Sequence, residues 1–424
     1  MSVASVLLMD NPKKDPILRS MTDHFDIVIV GGGLNGTVMG LAVAQAGFSV
    51  AIVDAQKIAS KSTPGFDGRS YAMALASTRL MHGIGIWSDL AANAQPMLDI
   101  KVADGRANEG PSPFFMHFDH REIEAGPMGY MVEDRHLRPA LLAAIAREAK
   151  ITYFDNTRVL SETQTGTTVT LMCDDGKEIN AQLVIAADGR NSQIAQRAGI
   201  RRKGWSYPQT ALVCAIDHEL PHEGVACQYF MPPGPLAILP LTGNRSSIVW
   251  SESHDQAAKI MALSDQDYLE VLKPRFGKYL GNIALAGKRF SYPLELTVAE
   301  RFVAPRVALI GDAAHGVHPI AGQGLNAGLK DIASLRDVLL QAKLRGEDFG
   351  SIAVLERYQE WRRFDANALA FATDIFNKLF SNDNPILRLG RDLGMGLVNA
   401  VPKLRRSFIK EAAGLTGDLP ELMK

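Results

Sequence analysis

Residues 25–55 read FDIVIVGGGLNGTVMGLAVAQAGFSVAIVDA. An apolar run rich in isoleucine and valine enters a set of glycines, a helix-period stretch continues through Ala46, and a second β-rich run, Val50 to Val53, ends at Asp54. This order predicts a βαβ unit. Gly31, Gly33 and Gly36 stand in a G-x-G-x-x-G spacing: the first allows the tight turn, the second lets backbone approach a pyrophosphate, and the third lets helix pack closely on strand. Asp54 lies at the distance where a carboxylate accepts hydrogen bonds from a ribose. A dinucleotide site follows, open between FAD and NAD.

Two later strands end in the same kind of chemistry. The run INAQLVIAADGR (179–190) stops at Asp188 and Gly189, and RVALIGDAAH (306–315) stops at Gly311 and Asp312. Ligands of open α/β sheets bind outside the carboxyl ends of the strands, so the three endings are expected to face one ligand. Asp312 is placed to accept from the hydroxyls of a sugar-alcohol chain, or else to cap a helix. Residues 318–331, HPIAGQGLNAGLKD, carry more turn chemistry than a strand-to-helix connection needs. There Gly322, Gln323 and Gly324 lead into a helix starting near Leu325, and their N–H groups with the positive helix end make an anion site. The N1–O2 edge of a reduced flavin is such an anion.

Composition bounds the rest. The 424 residues exceed one ordinary core, and the 45 Lys plus Arg against 46 Asp plus Glu give no electrostatic case for nucleic acid. Cys173, Cys214 and Cys227 lie far apart, without metal or disulfide spacing, which fits a reducing cytoplasm and suggests no metal site. No run of eighteen apolar residues is present. Residues 1–20 read as a loose extension, and Met21 is an alternative start. Residues 96–129 read as loops and short strands, with a hairpin turn expected at Asp175 and Gly176. Residues 205–300 read as short β-rich runs followed by one helix, DQDYLEVLKPRF. In GPLAILPL (234–241), Leu236, Ile238 and Pro240 share one face and are taken as the substrate wall, while Ala237 and Leu239 share the other; the pattern leaves open which face meets a ring. His315 and His318 are read as structural hydrogen-bonding groups, and no catalytic residue is assigned. From Ile386 to Gly414, six Lys and Arg (Arg388, Arg391, Lys403, Arg405, Arg406, Lys410) outnumber Asp392 and Glu411. This tail is a covering helix with a basic face, or a contact to a membrane surface or partner.

The three strand endings, with Ser192 after Asp188–Gly189 and the whole of HPIAGQGLNAGLKD, resemble the single-component flavoprotein aromatic hydroxylases, and within them the ubiquinone-biosynthesis branch. The resemblance covers the chain from Phe25 and includes GPLAILPL, LFSND (379–383) and the basic tail. It implies non-covalent FAD, NAD(P)H as a visiting donor, and hydroxylation of a polyprenylated phenol by O2 through a flavin C4a-hydroperoxide. Another aromatic substrate, or a flavin-bearing scaffold among other ubiquinone-biosynthesis proteins, is the alternative. It further implies cofactor contacts for Arg69, Arg135, Pro319, Leu325 and Asn326, and a location in the cytoplasm or on the inner face of the membrane. One departure stands out: the family's arginine three residues after the serine is Ala195 here, with Arg197 two further on and Arg190 added in the same turn.

The expected fold class is therefore α/β: an FAD-binding Rossmann-like domain of the glutathione-reductase type, a β-rich substrate domain and a C-terminal helical segment. The expected boundaries are an extension at 1–20, a discontinuous FAD-binding domain at 21–95, 130–200 and 300–360, a substrate domain at 96–129 and 201–299, and a helical region at 361–424.

Overall fold

A computed structural model describes residues 23–60, 65–106, 110–316, 323–363, 365 and 398–424. Its first sheet runs Val303–Ala304, Val307–Leu309, Glu178–Ala186, Asp23–Val30, Val50–Val53, Ile151–Phe154, and all pairings along this path but the first are parallel. The hairpin strands Val159–Thr165 and Thr168–Cys173 attach antiparallel to Glu178–Ala186, joined through the expected turn at Asp175 and Gly176. Ile27, Val28 and Ile29 are fully buried, so both faces of this sheet are covered, as a parallel sheet of continuous apolar strands requires. The helix Leu34–Gln45 follows the first strand, completing the βαβ unit read from residues 25–55.

The second sheet has eight strands, in the order His315–Gly316, Ile283–Ala299, Arg202–His218, Arg245–Ser253, Gly234–Leu241, Val225–Met231, Asp99–Arg106, Gly110–Asp119. Asp99–Arg106 and Gly110–Asp119 are thus long strands of this sheet, where loops and short strands were expected. Gly110–Asp119 is the edge strand of this sheet. One face is closed by two helices, His254–Met261 and Asp265–Phe276, around Leu212, Cys214, Ile248, Trp250 and Tyr268. The sequence indicated only the second helix. The first is eight residues long and buries just Ala257 and Ile260, too short a pattern to declare itself.

A three-stranded antiparallel sheet, Ser70–Ala74 with Gly129–Glu133 and Ala94–Met97, joins the two larger sheets. Its Ala72, Met97 and Met131 pack on Ala215, Leu239, Leu241 and Ala286 of the eight-stranded sheet. Its Tyr71, Met73, Tyr130 and Val132 pack into the core of the parallel sheet. The long helix Gln323–Leu344 covers the parallel sheet, and near the C-terminus Pro402–Ala412 lies on the far edge of the eight-stranded one through Phe408 and Ile409.

Candidate functional site

Strand register builds the site. Val53, Val30, Ala186 and Leu309 are consecutive neighbours in one row across the parallel sheet. Asp54, Gly31, Asp188 with Gly189, and Gly311 with Asp312 therefore leave the sheet at one edge. Gly31 has φ +106°, and an added Cβ would lie 2.4 Å from the Ala187 carbonyl oxygen; at Gly36 it would lie 1.8 Å from the Gly31 oxygen. Gly33 differs, since a Cβ there meets nothing within 4 Å. The turn is thus tight against protein at Gly31 and Gly36 and open where Gly33 caps the helix Leu34–Gln45. That helix has no side-chain cap and no acid in its first turn, leaving its positive end for an anion.

The expected residues among those described have definite positions. Asp54 is 6% exposed; its Oδ2 accepts from Gly32 N–H (2.7 Å) and Tyr153 O–H (3.1 Å), and its Oδ1 from Gln56 N–H (2.8 Å). It braces the glycine turn directly. Burial, with the Asp54 charge beside it, pushes the Tyr153 phenol well above its ordinary value, so it stays a donor. Asp188 Oδ2 caps the helix Gln193–Arg197 through Gln193 and Ile194 N–H, while its Oδ1 is buried without a partner. Asp312 receives Arg190 Nε at 3.2 Å. Ala195 is buried in the core and Arg197 is held by Glu162, so Arg190 is the cation of that turn that meets the strand ends.

Arg69 immediately precedes the strand Ser70–Ala74, and Arg135 lies in the first turn of the helix Asp134–Arg147 that follows Gly129–Glu133, so both stand beside the three-stranded sheet rather than on the row of strand ends. Arg69 binds Asp67 and Asp134, and Arg135 Nε donates to Glu133 at 2.5 Å. Gly324, Leu325 and Asn326 form the first turn of Gln323–Leu344. The Asn326 amide accepts from Ala74 N–H (2.9 Å) and Ser77 O–H (2.7 Å) and donates to Ala72 O (2.9 Å), tying that turn to the three-stranded sheet. Pro319, Gly322, His318 and Met21, and the Gln323 side chain, lie outside the described residues.

The substrate-wall reading needs correction. Leu236 (0% exposed) and Ile238 (1%) point into the core closed by the two short helices, and Pro240 shares their side of the strand. The opposite face looks toward the three-stranded sheet, and there Phe290, Val213, Val249, Ala237 and Gln228 form one row of cross-strand neighbours. Phe290, Val213, Val249 and Ala237 are only partly buried although they lie mid-sheet, which marks an apolar floor with room above it.

Several organising residues escaped the sequence reading. Asp331 is fully buried; its Oδ2 accepts from Gly311 N–H (2.9 Å) and bonds His315 Nε2 (2.7 Å), and its Oδ1 accepts from Arg362 Nε (2.9 Å). Burial pushes the Asp331 carboxyl up, but the His315 and Arg362 charges with these hydrogen bonds overcome it and hold it below the ordinary carboxylate value. His315 is 2% exposed and held by this bond, with its Nδ1 buried without a partner. Arg202 donates to the Asp312 (2.9 Å) and Ala313 carbonyls and to Thr297 Oγ (2.9 Å), and burial lowers its pKa. Asn35 occupies the space left by Gly311 and Gly328, and its Oδ1 is buried without a partner. Asn35 and Asp331 stand inside quoted motifs and were legible in principle; Arg202 and Arg362 carry no local signal.

An FAD fits these observations. The helix end is uncapped, Gly33 opens onto space, and two orphaned acceptors, Asn35 Oδ1 and Asp188 Oδ1, stand on segments that leave the same sheet edge.

Comparison with known proteins agrees. The family model described as FAD binding domain matches residues 24–372. The chain is 42% identical over 412 residues to the ubiquinone hydroxylase UbiL of Rhodospirillum rubrum, covering 96% of this chain and 95% of that protein. It is 35% identical over 398 residues to the 3-demethoxyubiquinol 3-hydroxylase of Escherichia coli K12, covering 92% and 98%. The crystal structure of p-nitrophenol 4-monooxygenase PnpA from Pseudomonas putida shares the fold, with a TM-score of 0.76 at 20% identity over 93% of this chain and 99% of that one.

Proposed function

The chain belongs to the FAD-dependent hydroxylases of ubiquinone biosynthesis, and from that premise we propose how its residues serve the reaction. The protein is an FAD-dependent monooxygenase that hydroxylates the ring of a polyprenylated phenol, using NAD(P)H and O2. FAD, when bound, supplies the two-electron chemistry by which one oxygen atom enters the ring and the other leaves as water. The protein's own part is binding, orientation and exclusion of solvent.

The observation that carries the site assignment is the single row Val53–Val30–Ala186–Leu309, which sends all three strand endings to one edge. On this reading Gly31, Gly33 and Gly36 seat the pyrophosphate on the helix Leu34–Gln45. Asp54 stands at the adenosine ribose, and Asp312 with Asn35 takes the ribityl hydroxyls. Gly322, Gln323 and Gly324, carried by Pro319, Leu325 and Asn326, receive the pyrimidine edge. Arg69 and Arg135 approach the cofactor from the three-stranded sheet, and Asp188, Gly189 and Arg190 form the turn that the donor visits. The row Phe290, Val213, Val249 and Ala237 supports the aromatic ring, while the long prenyl chain is matched by an apolar wall and needs no polar recognition.

The helix Pro402–Ala412 supports a peripheral position on the inner face of the membrane. Arg405 is spent on Glu122 (2.8 and 3.1 Å) and Arg406 Nε lies 3.9 Å from the same carboxylate, but Lys403, Arg406 and Lys410 are exposed beside Val401 and Leu404, themselves 39% and 40% exposed. Cations flanking apolar side chains suit an anionic lipid surface. No helix of the described residues is long and apolar enough to cross a membrane.

The test is turnover under 18O2 with NAD(P)H and a short-chain prenylphenol. We expect FAD on heat release and one labelled oxygen in the product. Oxygen uptake that yields only hydrogen peroxide would overturn the substrate assignment.

A further inference from the structure

Ser70 and Glu133 are directly opposed residues of the three-stranded sheet and share its face toward the eight-stranded sheet, because Ala72 and Met131, the next opposed pair on that face, pack there. Glu133 is 1% exposed. Its Oε2 is held by Arg135 Nε at 2.5 Å, but its Oε1, like the neighbouring Ser70 Oγ, is buried without any partner. Two orphaned polar atoms on one opposed pair of residues are unusual, since an unsatisfied buried group costs about 1–3 kcal/mol, more when charged. The surroundings are built. Phe66 lies between the guanidinium groups of Arg135 (5.3 Å) and Arg245 (4.7 Å), and Arg245, reaching across from the eight-stranded sheet, is itself paired with Asp217 at 2.7 Å.

We propose that Glu133 Oε1 and Ser70 Oγ form a polar anchor, at the seam between the two sheets, for a neutral hydroxyl of a bound ligand. The charges select that chemistry. Glu133 and Asp217 already balance Arg135 and Arg245, so a second anion meets a carboxylate and a second cation meets two guanidinium groups. A hydroxyl donates to Glu133 Oε1 and accepts from Ser70 Oγ–H without adding charge, satisfying both orphans at once. The proposed function offers two such hydroxyls, those of the FAD sugar chains and that of the phenol, and the proposal rests on that reading for the bearer.

The experiment separates the sources. Ser70→Ala removes one anchor and leaves the Glu133–Arg135 pair intact. Glu133→Gln keeps the shape but turns an amide N–H2 toward the ligand once the amide oxygen faces Arg135. FAD dissociation constants come from quenching of flavin fluorescence, and phenol dissociation constants from perturbation of the flavin spectrum in the oxidised holoenzyme. We expect one constant to rise about five- to tenfold in Ser70→Ala, in line with an ordinary hydrogen bond, and about tenfold or more in Glu133→Gln, in line with a hydrogen bond to a charged group. A rise in the FAD constant assigns the cofactor hydroxyl, and a rise in the phenol constant alone assigns the substrate. Both constants within twofold of wild type in Ser70→Ala, with Glu133→Gln folded by circular dichroism and equally unchanged, would overturn the anchor. Failure of the function reading looks different: the wild type itself would bind FAD and show no spectral response to the phenol.

Discussion

Replacing Asp331 by alanine probes the contact that joins the third strand ending to the covering helix. In the wild type one carboxylate satisfies Gly311 N–H, His315 Nε2 and Arg362 Nε, and the Arg362 side chain is only 2% exposed. Truncation leaves that guanidinium with Asp365 as its remaining carboxylate and orphans Gly311 N–H. Breaking a buried pair from one side costs about 3–5 kcal/mol. An unfolding entropy of about 2.1 cal/mol/K per residue gives about 0.9 kcal/mol/K for this chain, so Tm should fall by about 3–6 °C. Calorimetry on FAD-saturated protein reads the shift, and Asp331→Leu combined with Arg362→Met should recover part of it, because the stranded guanidinium is removed while Gly311 N–H and His315 Nε2 still lack their acceptor. There is also an acid arm. The folded Asp331 carboxyl lies below the ordinary value of 3.8, so its contribution is present above that pH and is lost as pH falls through the lower folded value. The single variant should therefore lack this segment of the wild-type acid dependence. A Tm within 1 °C of wild type, or a double variant as unstable as the single one, would refute the reasoning.

Gly36→Ala places a Cβ 1.8 Å from the Gly31 carbonyl; overpacking of about 1–3 kcal/mol should appear as a rise of about five- to 150-fold in the FAD dissociation constant by fluorescence titration. Ala237→Phe fills the apolar floor and should raise KM for a short-chain prenylphenol about tenfold or more with Tm kept. Ile238→Ala, one residue on, should cost about 2–5 kcal/mol of stability with KM kept, and the reverse pattern would return the substrate to the helix-backed face. Lys403→Glu, Arg406→Glu and Lys410→Glu together should abolish flotation on anionic liposomes, each cation contributing about 1 kcal/mol, while FAD content is unchanged. Added salt should weaken wild-type flotation in the same direction.

Local chemistry wrote the cofactor half of this protein into its sequence. A turn that admits no Cβ demands glycine whatever surrounds it, so Gly31 and Gly36, with the acids and glycines at Asp188–Gly189 and Gly311–Asp312, were legible one strand at a time. Their convergence followed from the rule that parallel strands present the same end. The substrate face was not legible, because GPLAILPL is apolar on both sides and period-two alternation cannot say which side two later helices will cover. Asp331 stood in plain view at the end of a quoted motif, yet its meaning lies in Gly311, His315 and Arg362, which are 20, 16 and 31 residues away. Asn326, expected at the cofactor, also ties its helix to a strand about 250 residues earlier. Such partners are chosen by packing across sheets, where a buried polar group must bond to whatever the fold brings within about 3 Å, and only the tertiary structure decides that.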